Sequence, residues 1–185
     1  MSKKVVCFGE IMLRLAPPGY QRFEQAHSFD AVYGGGEANV ALSLANYGEQ
    51  GVFVTRVPEN PIGQAAINEM RRYGVDTTYM VRGGERLGIY YCEKGASQRP
   101  SKVVYDRKYA SISTATSADF DWEKIFAGAS WYHFTGITPA LGDNVAAVVL
   151  DSLKAAKKAG VTVSCDLNFR KNLWTSEKAG QVMGE

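Results

Sequence analysis

Tyr33 to Gly48 reads Y-G-G-G-E-A-N-V-A-L-S-L-A-N-Y-G, three consecutive glycines opening an apolar helix that carries Asn39. A glycine run gives up backbone order, so either another group comes close to this backbone or the chain takes positive φ here. From Glu37 the period is helical. Ala38, Val40, Ala41, Leu42, Leu44 and Ala45 make most of the cylinder apolar, and Gly48 stands at the stop position. Asn39, Ser43 and Asn46 form a narrow polar seam at i, i+4 and i+7, and on a buried helix such a seam needs partners. Two readings stay open: a tight strand-to-helix turn with internally satisfied amides, or a floor whose backbone N–H groups and Asn39 amide hold a polyhydroxylated ligand.

Outward from this turn, Val5 to Phe8 and Gly51 to Val57 are short apolar runs that predict buried strands on either side of the helix, a β-α-β beginning. Pro61 starts a second helix with Ile62, Ala66, Met70 and Tyr73 as its core stripe, ending at Gly74. Ser130 to Phe134 predicts a strand. Asp143 or Asn144 then caps a helix with Val145, Val148, Val149, Leu153 and Ala156 on one face, and Gly160 closes it before the strand Val161 to Asp166. Strands alternating with helices argue for an α/β fold with a parallel sheet. Leu87 to Glu93 and Lys102 to Lys108 instead alternate in chemistry, and residues 12 to 30 hold aromatics between turn residues. These pieces predict a small antiparallel sheet outside the main one. Thr175 or Ser176 caps a last helix.

The chain has 185 residues, 45% apolar and 22% charged, an ordinary globular composition for one domain. Lys and Arg number 21 against 19 Asp and Glu, with no long basic run, which argues against a nucleic-acid surface. Val5 to Phe8 is too short for a signal sequence or membrane span, so a cytoplasmic protein is expected. Cys7, Cys92 and Cys165 lack C-x-x-C spacing, support neither a disulfide framework nor zinc, and read as small core residues.

Tyr105 and Arg107 lie at i and i+2 on one strand face, where Tyr90 can meet them from a neighbouring strand. A guanidinium between two phenols suits a carboxylate, although an exposed basic strand with aromatic packing explains the pattern equally well. Asp166, Asn168 and Arg170 alternate from the end of a parallel strand, at the carboxyl edge where open α/β sheets bind ligands. The alternative is a loop held by Asp and Asn side chains. No G-x-x-x-x-G-K-[ST] loop, metal-spaced histidine pair or nucleophile elbow occurs, and His133 reads as a core or edge histidine.

G-G-G-E-A-N-V-A, followed six residues later by Gly48, resembles the amino-terminal signature of the ribokinase-like, or phosphofructokinase-B, sugar kinases; a later glycine of that pattern is Pro58 here. Within that family, L-G-I-Y-Y-C-E, Y-D-R-K, F-T-G-I-T-P-A-L and D-L-N-F-R-K-N-L-W are similar to the 2-keto-3-deoxygluconate kinases. The resemblance implies a three-layer fold with a mostly parallel central sheet and an antiparallel β lid, its strands within about residues 12–30 and 87–108. It also implies ATP and Mg2+ as cofactors, and a homo-oligomer joined through the lid. It assigns Gly35, Gly36 and Asn39 to sugar hydroxyls, Tyr90, Tyr105 and Arg107 to the acid end, and Ile137, with Gly136, to the wall of the sugar site. Asn168 and Arg170 fall near the nucleotide phosphates, with Arg170 neutralising charge on the transferring group. Similar kinases are longer, so residues 1–185 read as the amino-terminal portion of one kinase domain. The G-x-G-D motif with the catalytic aspartate, and the N-x-x-E group linked to magnesium, are expected beyond Glu185, leaving this portion inactive by itself. A kinase for a neutral sugar such as fructose or ribose is the alternative enzyme, and a non-catalytic sugar-acid binding or dimerising module the alternative of another class.

Overall fold

β1 (Lys4–Phe8) is the central strand of a five-stranded, all-parallel sheet in a computed structural model that describes residues 2–184. The sheet continues through β4 (Gln50–Val57) to β5 (Met80–Arg82) on one side, and through β8 (Ala129–Thr135) to β9 (Thr162–Asp166) on the other. β1 is covered on both faces, which explains why Val5, Val6, Cys7 and Phe8 are apolar without alternation and all buried. Strand parity separates two cores. Val6 and Phe8 join Val52, Val54, Tyr132 and Phe134 beneath α3 (Trp122–Phe126) and α4 (Asp143–Lys158). Val5 and Cys7 join Phe53 and Val57 beneath α1 (Gly36–Asn46) and α2 (Pro61–Arg72). The result is a helix–sheet–helix sandwich.

The first core is aromatic. Phe8 meets Phe120 and Trp122 edge-on with ring centroids 5.2 Å apart, and Phe126 meets Tyr132 at the same distance. Such pairs add about 0.5–1.5 kcal/mol each to the burial of their area. The buried Tyr132 hydroxyl is satisfied by Ser152 Oγ at 2.7 Å, which puts a serine rather than an aliphatic residue on the core face of α4.

Outside this sandwich lies a four-stranded sheet in the order β3 (Asp30–Gly34), β2 (Met12–Ala16), β6 (Gly88–Glu93), β7 (Lys102–Asp106). It is mixed rather than purely antiparallel. β2–β3 and β6–β7 are antiparallel, but β2 and β6 run parallel because each enters the lid from the same side of the main sheet. β3 also runs into the glycine turn instead of ending near residue 30.

Local departures have physical reasons. The core stripe of α2 is Gly63, Ala66, Ile67 and Met70, while Ile62 and Tyr73 are exposed. α4 has Gly142 as its N-cap, with Asn144 inside its first turn, where the side-chain amide donates to the carbonyls of Ser113 (2.9 Å) and Ala115 (2.8 Å). Thr175 caps α5 (Ser176–Gly184) by accepting the Lys178 N–H. Of the three cysteines only Cys7 is buried; Cys165 is exposed because β9 is an edge strand. No helix among the described residues is long and apolar enough to cross a membrane.

Candidate functional site

The carboxyl ends of β1, β8 and β9 and the start of α1 converge at one edge of the main sheet. Gly35, the N-cap of α1, has extended backbone, and neither it nor Gly34 or Gly36 has positive φ. Close approach is what Gly35 serves: a Cβ there would lie 1.9 Å from the Glu10 carbonyl oxygen, so any other residue would push α1 away from the end of β1, whereas a Cβ on Gly36 would meet nothing nearer than the Thr135 methyl at 3.6 Å. Gly48 ends α1 in the left-handed region at φ 85°. The polar seam of this helix does not need internal partners. Asn39, Ser43 and Asn46 are all exposed, and the Asn39 side chain makes no hydrogen bond among the described residues.

The polar residue buried in α1 is Glu37. Its Oε1 accepts the backbone N–H of Thr135 (3.0 Å), the Thr135 hydroxyl (2.8 Å) and the Thr138 hydroxyl (2.8 Å). Burial pushes this carboxyl above its ordinary range, and those hydrogen bonds pull it back. Glu37 therefore fixes the loop after β8, in which Gly136 is buried and Ile137 half-buried, against the glycine turn. The loop after β9 joins them through the Gly136 N–H, which donates to the Asp166 carbonyl at 2.8 Å.

Register assembles the lid face. Arg14 of β2 stands beside Tyr90 of β6, and Tyr90 stands opposite Tyr105 of β7. The Tyr90 and Tyr105 rings are 5.9 Å apart, and the Arg107 guanidinium lies 5.7 Å from the Tyr105 ring centre. The three residues singled out in the sequence are thus together, with a second arginine in their row. Arg107 already has a carboxylate partner, Glu10, which follows β1; the two form a buried ion pair. Burial pushes Glu10 up to about 7, opposed by the charge of Arg107 and assisted by the negative Glu37.

Asn168 and Arg170 lie on the loop after β9. The Asp166 carboxylate accepts the Asn168 N–H at 3.0 Å, and Asn168 takes a left-handed φ of 39°, the local turn expected of Asp and Asn side chains. That turn leaves Arg170 exposed, with no hydrogen bond or ion pair to its guanidinium among the described residues. An exposed guanidinium at a carboxyl edge fits phosphate oxygens. For magnesium the fit is poor: no three His, Cys, Asp or Glu gather into a metal-binding group among the described residues.

The pattern of the pfkB family of carbohydrate kinases matches residues 2–184. The chain belongs to this family. Its parallel five-stranded sheet between helices, with a separate small mixed sheet, matches the fold of that family. It is 35% identical over 179 residues to a protein of Haloferax volcanii named 2-dehydro-3-deoxygalactonokinase, covering 97% of this chain and 56% of the relative. To a Bacillus subtilis protein named 2-dehydro-3-deoxygluconokinase it is 29% identical over 179 residues, covering 96% and 55%. The crystal structure of 2-dehydro-3-deoxygluconokinase from Thermotoga maritima superimposes with a TM-score of 0.96 at 58% identity, covering 98% of this chain and 56% of that one. The chain thus spans about half the length of the relatives it matches.

Three residues of the site go beyond what the pattern of the sequence singles out. Glu37 opens the helical period of α1, and an acid inside an apolar helix signals buried donors. Glu10 was readable as an acid at the end of the first parallel strand. Arg14 had no signal, because its neighbour Tyr90 is set by a strand pairing that spans 76 positions.

Proposed function

We propose that the full-length pfkB protein is an ATP-dependent kinase that phosphorylates 2-keto-3-deoxygluconate at its primary hydroxyl, giving the 6-phosphate. The observation that carries this reading is the lid face, where Arg107 and Arg14 flank the paired, mutually tilted phenols of Tyr90 and Tyr105. A neutral sugar offers these cations only hydroxyl oxygens, whereas a sugar acid offers a carboxylate for charge-assisted, bidentate hydrogen bonds. The names of the Haloferax, Bacillus and Thermotoga relatives agree with an acid sugar.

In this reading the N–H groups of Gly35 and Gly36 and the Asn39 amide hold sugar hydroxyls, Ile137 forms an apolar wall, and Tyr90, Tyr105 and Arg107 hold the acid end. ATP supplies the transferred phosphoryl group when bound. Asn168 and Arg170 orient its phosphates, and Arg170 offsets the charge that builds on the transferring group. Glu10 and Glu37 are unsuited as the base for the sugar hydroxyl, since one is ion-paired and the other already accepts three hydrogen bonds. The lid also exposes Val32, Val103 and Val104, which suits a dimer contact. Sedimentation equilibrium reads that contact, and a monomer at micromolar concentration would count against it.

The test of the reaction is incubation of the full-length protein with ATP and the keto-acid, with the product read by mass and phosphorus NMR. A phosphate ester on the terminal carbon is expected. An unchanged keto-acid beside phosphorylated fructose or ribose would refute it.

A further inference from the structure

Arg107 and Glu10 are each only half used. Glu10 is 4% exposed and Arg107 13% exposed at the side chain, and they meet through Arg107 Nη2 and Glu10 Oε2. Glu10 Oε1 and Arg107 Nε are both buried with no hydrogen-bond partner. The carboxyl has been given room: a Cβ on Gly88 would lie 2.5 Å from Glu10 Oε1 and 3.3 Å from Arg107 Cβ, so β6 begins with a residue that lets both side chains fit beneath it. The charged groups facing Glu10 are Arg107 from the end of β7 and Glu37 from α1, while Arg14 of β2 stands beside Tyr90. Glu10 therefore sees one positive charge and one negative charge in a dry setting.

We propose that the carboxylate of an acid sugar and the carboxyl of Glu10 share the Arg107 guanidinium, and that Glu10 takes up a proton from solvent when the acid sugar binds. This inference rests on the acid-sugar reading above. A second anion on Arg107 weakens the attraction that keeps Glu10 ionised and adds repulsion between two carboxylates in a low-dielectric site. Taking up one proton restores the balance: the ligand carboxylate brings one negative charge and protonation of Glu10 removes one, so the summed charge of Arg107, Glu10, Glu37 and the ligand is unchanged by binding. The protonated acid also gains an O–H donor, a use for the oxygen that has no partner in the empty site. Burial already brings Glu10 up to about 7, so the group is poised to change state near neutral pH. Glu10 acts through Arg107 and is a positioning residue.

The experiment is isothermal titration of the full-length protein with the keto-acid at pH 8, in phosphate and in Tris, whose ionisation enthalpies differ. The slope of binding enthalpy against buffer ionisation enthalpy should report uptake of roughly one proton, and Kd should rise by up to about tenfold per pH unit above neutral. Glu10→Gln should bind the acid with no proton uptake and a flat pH profile. If that variant fails to fold, the unsubstituted protein in two buffers decides alone. Buffer-independent enthalpy with tight acid binding would overturn the proton linkage and leave the acid-sugar reading standing. Failure to bind the acid, with binding of fructose or ribose, would overturn both.

Discussion

The Glu37 carboxylate accepts both the backbone N–H and the hydroxyl of Thr135, at 3.0 and 2.8 Å, tying the first turn of α1 to the last residue of β8. These groups and Thr138 are all buried, so Glu37→Ala would strand three donors away from water. At about 1–3 kcal/mol for each unsatisfied group, the variant should lose about 3 kcal/mol or more. Glu37→Gln keeps an acceptor and should lose less. Urea denaturation of the full-length protein measures both, and an alanine variant within about 0.5 kcal/mol of the parent would show that this carboxylate does not brace the site.

The raised Glu10 carboxyl gives stability a pH dependence of definite sign. Its folded value of about 7 exceeds the ordinary 4.5, so the folded state holds the proton more tightly than the unfolded chain between those limits. The contribution is fully present below about pH 4.5 and is lost as pH rises through 7, with a size on the order of 3 kcal/mol. Denaturation free energy, compared between the parent and Glu10→Gln from pH 4.5 to 8, should fall more steeply in the parent, the share of the likewise raised Glu37 being common to both. Parallel curves would mean that Glu10 titrates in its ordinary range.

Arg107→Ala alone would leave Glu10 buried without its cation, so its test is made in the Glu10→Gln background. Relative to that background, loss of a charge-assisted pair worth about 1.5–3 kcal/mol should raise KM for the keto-acid roughly tenfold or more. Neutral sugars should be affected far less. Equal losses on ribose, fructose and the keto-acid would remove Arg107 from the acid end of the site.

Asn39 is exposed, so its amide is free for a ligand and not needed by the helix. Asn39→Ala should leave the thermal midpoint nearly unchanged and weaken sugar binding by about two- to tenfold, the value of one hydrogen bond. A lowered midpoint with normal sugar affinity in calorimetric titration would give the residue a structural role instead.

Where local pattern decides the structure, the sequence was readable. The apolar runs of β1 and β4 could be placed because a strand buried on both faces needs no alternation, and Gly48 and Gly160 mark helix ends by their positive φ. The clustering of Tyr90, Tyr105 and Arg107 followed from period two in the lid strands. What stayed hidden depends on distant pairing. The parallel β2–β6 contact that makes the lid mixed, and that brings Arg14 beside Tyr90, has no local signature. The ion pair of Glu10 with Arg107 joins residues 97 positions apart, and the need for glycine at Gly35 rests on the carbonyl of Glu10, 25 positions away. The seam of Asn39, Ser43 and Asn46 reads as part of a buried helix yet is exposed, because α1 buries only a narrow stripe, Glu37, Ala38 and Ala41.

Selection of an acid sugar by the arginine-bearing lid is tested most directly by kcat/KM of the full-length protein in a coupled ADP-release assay, with 2-keto-3-deoxygluconate, fructose and ribose compared at saturating ATP. Since a buried charge-assisted contact discriminates by about 1.5–3 kcal/mol, the keto-acid should be favoured by roughly ten- to a hundredfold or more. Equal or higher kcat/KM on a neutral sugar would contradict the account.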